Sequence, residues 1–381
     1  MVIAASRRDI VGLRLSAQLL AADSQATSSV VDVAERMLAV QAQDFIGGKW
    51  ALGVRAPGSA ESDVTAALDA GTLVRSWPMR GTLHFVPARE LNWMLELTTA
   101  RLIAGTTTRR KQLELDADTV AQARAVALEV LGGGGELTRA QFMAALESHG
   151  IATTGQRGYH LVWHLAQTGV LCWGREVNGQ QMLVLLSEWV PAPRLLERDE
   201  ALGEFVLRYL AGHGPATITD FAWWTKLTLT DAKRGFSVAA AALSELSVDG
   251  ERYFCVASGE APGANDALPR HRQRSPVMTL GPFDEYLLGY QDRSLIISAD
   301  DYQKVVPGKN GMFLPLIVVG GRIVGTWRKP PGKKSTLAVT AQPFTPLSGS
   351  ATAGFARSVA AYGRFFGRTV DVLTGSDNLK S

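Results

Sequence analysis

Apolar positions recur in one order along most of the chain: two or three short stretches at helical spacing, then a stretch that alternates. Leu13, Leu15, Leu19 and Leu20 suggest a first helix, and Val33, Met37 and Leu38 a second over 30–40. A third is expected at 62–70. Residues 72–86 alternate as two strands folded about 78–81, with Pro87 closing the second, and a Leu- and Trp-rich helix through Leu91, Trp93, Leu95 and Leu97 follows. The order then repeats. A helix at 119–131 precedes the glycine run 132–135, which reads as a flexible interruption. Thr138 and Gln141 form a capping box that starts the next helix, and 156–168 supplies another. Strands at 170–175 and 181–186 meet at the turn signal Asn178-Gly179. A third copy has helices at 199–211, from Thr219, and at 228–243, then a hairpin of 244–248 and 253–257 turning at Asp249-Gly250.

Helix, helix, helix, hairpin is the order of a winged helix-turn-helix unit, and it appears about three times by pattern, without visible identity between copies. After Ser258 the pattern changes. A polar link with Pro and Gly at 259–275 leads to apolar strands at 277–280, 287–290, 311–319 and 322–327, the last two turning at Gly320-Gly321. A closing helix at 351–366 carries Phe355, Val359 and Tyr362 on one face. The expected class is α+β: three tandem winged-helix units at 1–115, 116–195 and 196–260, and a β-rich domain at 276–375.

Composition narrows the class without naming a function. The 381 residues are 46% hydrophobic and 20% charged, with no uninterrupted apolar run of about 18, so a globular rather than disordered or membrane-spanning chain is expected. A net charge of +3 permits a polyanionic partner but does not imply one. Only Cys172 and Cys255 are present, far apart, which excludes a disulfide framework and a thiolate metal site. The first residues place Arg7 and Arg8 after a short apolar stretch, the reverse of a secretory signal, so a reducing cytoplasm is expected.

Standard enzymatic signatures are missing: no dinucleotide fingerprint, P-loop, nucleophile elbow or zincin motif occurs. His160 and His164 have the spacing of two metal ligands, but Leu161 stands where a metalloprotease carries Glu, and no third ligand is evident. Asp284 and Glu285, if on a strand, point to opposite faces and cannot act as an acid and base pair; they are read as structural, fixing strand ends or basic neighbours. The unusual segment is 40–50, where Gln41 and Gln43 flank Ala42 ahead of Asp44 and a Gly47-Gly48 pair. Their carboxamides share a side if the backbone is extended, and lie about 200° apart if the helix continues. Convergence therefore depends on where that helix stops.

Four segments together are similar to a known family. Gln41-Ala42-Gln43-Asp44, the run from Met79 to Pro87, the stretch from Tyr209 through Gly214-Pro215 to Asp220 and Trp224, and Pro282-Phe283-Asp284-Glu285-Tyr286 with Asp292-Arg293 resemble, in order, the AlkZ-type winged-helix DNA glycosylases. The resemblance implies three winged helices in a C-shaped scaffold with a C-terminal β-barrel-like element. It implies excision of alkylated purines of the 7-alkylguanine type, including bulky or crosslinked adducts, in DNA repair and in self-resistance to a genotoxic natural product. The family's Gln-x-Gln maps onto Gln41 and Gln43 as the catalytic pair that holds and polarises water. The implied partner is double-stranded DNA. No metal, cofactor, membrane or obligate protein partner is implied, and a monomer at the bacterial nucleoid is expected.

Around that pair, Asp44 is a further candidate base, with a helix-end hydrogen bond as its alternative. Arg80 and His84 share one face of the first hairpin, either at phosphates or the lesion, or with His84 bonded within the hairpin. Candidate DNA contacts are Lys49, Arg55, Arg109, Arg110, Lys111, Arg157, Arg328 and Lys329, with Lys333 and Lys334 beyond them. Lys49 also keeps a lyase reaction open. Two other functions remain in play: a non-catalytic winged-helix regulator, and a protein that sequesters the genotoxin in its cleft.

Overall fold

Helix starts are fixed locally by side-chain caps. Ser6 with Asp9, Ser29 with Asp32, Thr138 with Gln141 and Thr217 with Asp220 each form a reciprocal capping box. The computed structural model describes residues 2–21, 29–257, 277–309, 311–329 and 336–373. The expected link at 259–275, and Lys333 and Lys334, lie outside them.

The first region runs β1 (Val2–Ala4), α1 (Arg7–Ala17), α2 (Val30–Met37), β2 (Val40–Gln41), α3 (Phe45–Gly53), α4 (Glu61–Asp69), β3 (Leu73–Met79), β4 (Thr82–Pro87), α5 (Leu91–Gly105) and α6 (Thr107–Gln112). The second has α7 (Ala117–Leu131), β5 (Leu137–Thr138), α8 (Arg139–Ser148), α9 (Arg157–Gln167), β6 (Leu171–Val177), β7 (Gln180–Leu185) and α10 (Leu186–Trp189). The third has α11 (Arg198–His213), α12 (Ile218–Thr225), α13 (Leu229–Ala239), β8 (Leu243–Val248) and β9 (Glu251–Val256). Last come β10 (Met278–Leu280), α14 (Glu285–Leu288), α15 (Ala299–Val305), β11 (Leu316–Val319), β12 (Arg322–Arg328), β13 (Thr336–Pro343), α16 (Gly349–Phe365) and β14 (Thr369–Leu373).

Helices followed by a hairpin do recur three times, and the hairpins also pair with strands outside their own regions. The first two join in one sheet of order β2-β4-β3-β6-β7-β5, bridged where Arg75 pairs with Trp173. The third hairpin takes β1 as a parallel neighbour of β8. Apolar packing also crosses the expected boundaries: Val33, Trp50 and Phe85 share a core with Ile317, Trp327, Phe355 and Phe365.

The C-terminal sheet has the order β10-β11-β12-β13-β14, with β13 and β14 parallel. Its edges do not pair with each other; α16 packs against both edge strands, so the curl is closed by a helix rather than a barrel ladder. The strand expected at 287–290 is instead the short helix α14, buried on every side. The glycine run at 132–135 is not loose, because Gly133 and Gly134 donate their N–H groups to the Glu188 carboxylate at 3.1 and 2.7 Å.

Candidate active site

The helix question at the glutamines is settled by the backbone. α2 ends at Met37, Leu38 turns into the left-handed region at φ 61°, and the chain emerges extended as β2. Gln41 pairs with His84 across the sheet, the Ala42 N–H donates to the Leu83 carbonyl at 2.8 Å, and Gln43 Oε1 accepts from the Leu83 N–H at 3.1 Å. Gln41 is thus the last residue of the strand, and Gln43 lies two residues on, in the bend that leads into the next helix, its side chain anchored on Leu83. Gln41 is buried and Gln43 exposed. Among the described residues the Gln41 carboxamide has no hydrogen-bond partner, so it is available to a ligand or water.

Three devices hold this strand. Arg75 donates twice to the Ala42 carbonyl, from Nε at 3.0 Å and Nη2 at 2.8 Å. Burial pulls its guanidinium down to about 10, against the opposing pull of Asp44. Asp44 is the N-cap of α3, accepting from the Gly47 N–H at 2.6 Å, which fixes the start of the helix two residues after Ala42. Gly48 lets α3 approach closely: a Cβ there would lie 2.8 Å from the Cβ of Ala42.

Behind the strand lies a buried polar cluster centred on Glu285. Its Oε1 accepts from the Gln41 N–H at 3.2 Å and from Arg80 Nη2 at 3.0 Å, and its Oε2 from Trp224 Nε1 at 2.8 Å. His213 Nε2 lies 3.4 Å from Oε2. Burial alone would push this carboxyl up, but the Arg80 guanidinium in contact with it is the main influence that holds it far below the usual carboxylate range. Desolvating such a carboxylate costs several kcal/mol, which only this set of donors offsets. Burial, then Arg80, push His84 down to about 3, so it is neutral. Its Nδ1 lies 2.8 Å from the Thr82 carbonyl and its Nε2 2.9 Å from Arg80 Nη2, so Nδ1 carries the proton. His84 is thus bonded within the hairpin rather than offered to DNA. Arg80 keeps a small exposed fraction and also donates to the Leu288 carbonyl at 3.0 Å.

Several expected DNA contacts are interior. Lys49 Nζ is held by Glu61 at 2.9 Å, Glu176 at 2.6 Å and Thr65 at 3.3 Å, with 1% exposure, so it reaches neither phosphate nor a sugar carbon. That removes the lyase nucleophile. Arg55 is fully buried in a two-pronged pair with Asp284 at 2.7 and 2.9 Å and also reaches Gln18. Arg157 gives its guanidinium to the Leu113, Glu114 and Ala152 carbonyls, tying the entry to α7 against the start of α9. Arg109 reaches Gln112 and Gln156, while Arg110 is half-buried and Lys111 exposed. Arg328 and Lys329 are exposed at the end of β12, with Lys329 Nζ 2.7 Å from the Tyr362 hydroxyl. His160 and His164 find no third ligand, and no group of three metal-ligating side chains occurs among the described residues.

Sequence reasoning missed the link from Glu285 to Gln41 and the clamp by Arg75. It also left unconnected the segments of the family resemblance, which meet here. The Tyr209 hydroxyl donates to the Gly289 carbonyl at 2.8 Å, the Tyr290 hydroxyl to that of His213 at 2.8 Å, and Asp220 Oδ1 accepts from the Gln291 N–H at 2.8 Å. The sequence matches the profile described as DNA glycosylase AlkZ-like over residues 34–365. The chain belongs to this family. AlkZ-like proteins are DNA glycosylases, and this chain is one. It is 27% identical over 341 residues to an interstrand DNA cross-link repair glycosylase of Streptomyces sahachiroi, covering 85% of this chain and 88% of the relative. The solved structure of Streptomyces sahachiroi DNA glycosylase AlkZ superposes with a TM-score of 0.79 at 24% identity, over 97% of this chain and 100% of that one. That likeness establishes the AlkZ fold for this chain.

Proposed function

We propose that the protein is a monofunctional glycosylase that hydrolyses the N-glycosidic bond of purines alkylated at N7 in duplex DNA, including bulky or crosslinked adducts. The observation that carries this reading is the pair of carboxamides at the exit of strand β2, with that of Gln41 unpartnered among the described residues. An N7-alkylated purine is already cationic, so it leaves without a general acid. What the reaction needs is a placed water and dipoles that tolerate a cationic sugar. Gln41 Oε1 accepts a hydrogen bond from the attacking water. Gln43, whose oxygen is engaged by Leu83, presents its amide N–H groups to the water or the sugar. With Lys49 enclosed by carboxylates, water rather than an amine is the nucleophile.

The three helix-and-hairpin regions serve as winged-helix units of a C-shaped scaffold that grips duplex backbone, with Arg109, Arg110, Lys111, Arg328 and Lys329 as contacts. Crosslink repair is supported by the name of the Streptomyces relative, and self-resistance to a genotoxic natural product is the role proposed for this protein. A monomer acting at the nucleoid without a protein partner completes the reading. The test is incubation of the protein with duplex DNA carrying a single 7-alkylguanine. Abasic sites are expected, with no borohydride-trapped adduct. Tight duplex binding without abasic sites would make it a regulator, and binding of free drug alone a sequestering protein.

A further inference from the structure

A cleft of about 450 Å³ opens beside Arg80, at the turn between β3 and β4. Arg80, Arg101 and Lys226 line it, beside Tyr159 and Trp163, and among the described residues no Asp or Glu does. Among the described residues neither Arg101 nor Lys226 has an ion-pair partner. Burial, then the nearby Arg80 and Arg101 guanidiniums, lower the Lys226 ammonium below its ordinary value. Trp223 adds a ring face to the same corner, with Lys226 at 5.5 Å and Arg80 at 5.7 Å from its centroid. Gly81 and Gly105 leave the cleft open, since a Cβ at either would meet nothing within 4 Å.

We propose that this cleft binds phosphodiester groups of the DNA strand, and that Arg101 and Lys226 are phosphate-binding residues beside the catalytic glutamines. The inference rests on the glycosylase reading for the identity of the polyanion. Arg80 belongs to both sites: its Nη2 holds Glu285, and Glu285 holds the Gln41 N–H. A phosphate in the cleft is therefore one arginine away from the glutamine strand. The cations continue past Thr106 into Arg109, Arg110 and Lys111 on α6, a spread that suits successive phosphates better than one small anion.

The test is fluorescence anisotropy with duplex DNA over a range of salt, comparing wild type with Arg101→Gln, Lys226→Gln and Gly105→Glu, beside abasic-site formation by wild type. Both neutral variants are expected to bind more weakly, with the slope of log affinity against log salt shallower by about 1 each. Gly105→Glu, which keeps both cations but adds a carboxylate, is expected to weaken binding as well. Wild-type affinity and slope in all three variants would overturn the phosphate site. So would inorganic phosphate that quenches tryptophan fluorescence in wild type but not in Lys226→Gln, while both proteins bind duplex alike, because the site would then hold a free anion. If the variants lose affinity as expected while wild type makes no abasic sites, the phosphate site stands and the catalytic reading fails.

Discussion

Glu285 shows how a residue's role depends on partners the local sequence does not contain. Its neighbours Asp284 and Tyr286 say only that the segment is polar and aromatic; Arg80 and Gln41 lie 205 and 244 positions away. Gln41, by contrast, could be singled out from its own spacing to Gln43. Glu285→Gln keeps the shape and removes the charge, leaving Arg80 facing a neutral group in a buried site. Urea unfolding is expected to show a loss of about 3–5 kcal/mol with an unchanged slope; a loss below about 1 kcal/mol would mean that the cluster is not held by charge. His84 gives the pH signature. Its folded value of about 3 lies below the ordinary 6.5, so the unfolded chain binds the extra proton between those values. Stability from His84 is complete above pH 6.5 and declines as pH falls toward 3, by about 1.4 kcal/mol per pH unit once titration is under way. Neutral, buried His213 adds to the same decline, and Glu285 adds its own below its ordinary 4.5. His84→Gln is expected to flatten stability against pH by about one proton between pH 6.5 and 4.5, measured by urea midpoints.

At the scale of elements, turns were legible and cross-strand partners were not. Asn178-Gly179, Asp249-Gly250 and Gly320-Gly321 all carry two successive positive φ values, as their chemistry predicts for tight hairpins. Arg80-Gly81 has the same geometry, with φ 56° and 71°, although arginine is a poor residue for that place. Its left-handed backbone is held by the bonds to Glu285 and Leu288, which is why a general turn rule placed the turn but not the reason for the residue. α14 was misread for the opposite reason: Glu285–Leu288 is buried throughout, so neither a helical nor an alternating stripe is visible. The Gly47-Gly48 pair connects element packing to the site. Alanine is the better helix former, yet at Gly48 its Cβ would press on Ala42 between the two glutamines. Gly48→Ala is expected to cost about 1–3 kcal/mol in urea unfolding and to slow abasic-site formation by more than it weakens duplex binding. A variant as stable and as active as wild type would show that the close approach is not needed.

For the whole molecule, the threefold recurrence of helices and hairpin was readable from hydrophobic period, whereas the way the regions combine was not. Pairing between β3 and β6, the parallel β1, and the core shared by Trp50 with Trp327 and Phe365 are contacts between distant segments that no local pattern encodes. The modest net charge of +3 likewise hid the cations gathered with Arg80 in one cleft. Taken together, strand β2, the Glu285 cluster behind it and the clamp from Arg75 make a rigid mount for two neutral amides, and the chemistry assigned to the protein rests on those amides. The decisive measurement is single-turnover release of 7-alkylguanine from duplex DNA by Gln41→Ala and Gln43→Ala at saturating protein. A fall of about 10²-fold or more is expected for Gln41→Ala, and a smaller fall for Gln43→Ala, with duplex affinity retained in both. Release at the wild-type rate by Gln41→Ala would contradict the account.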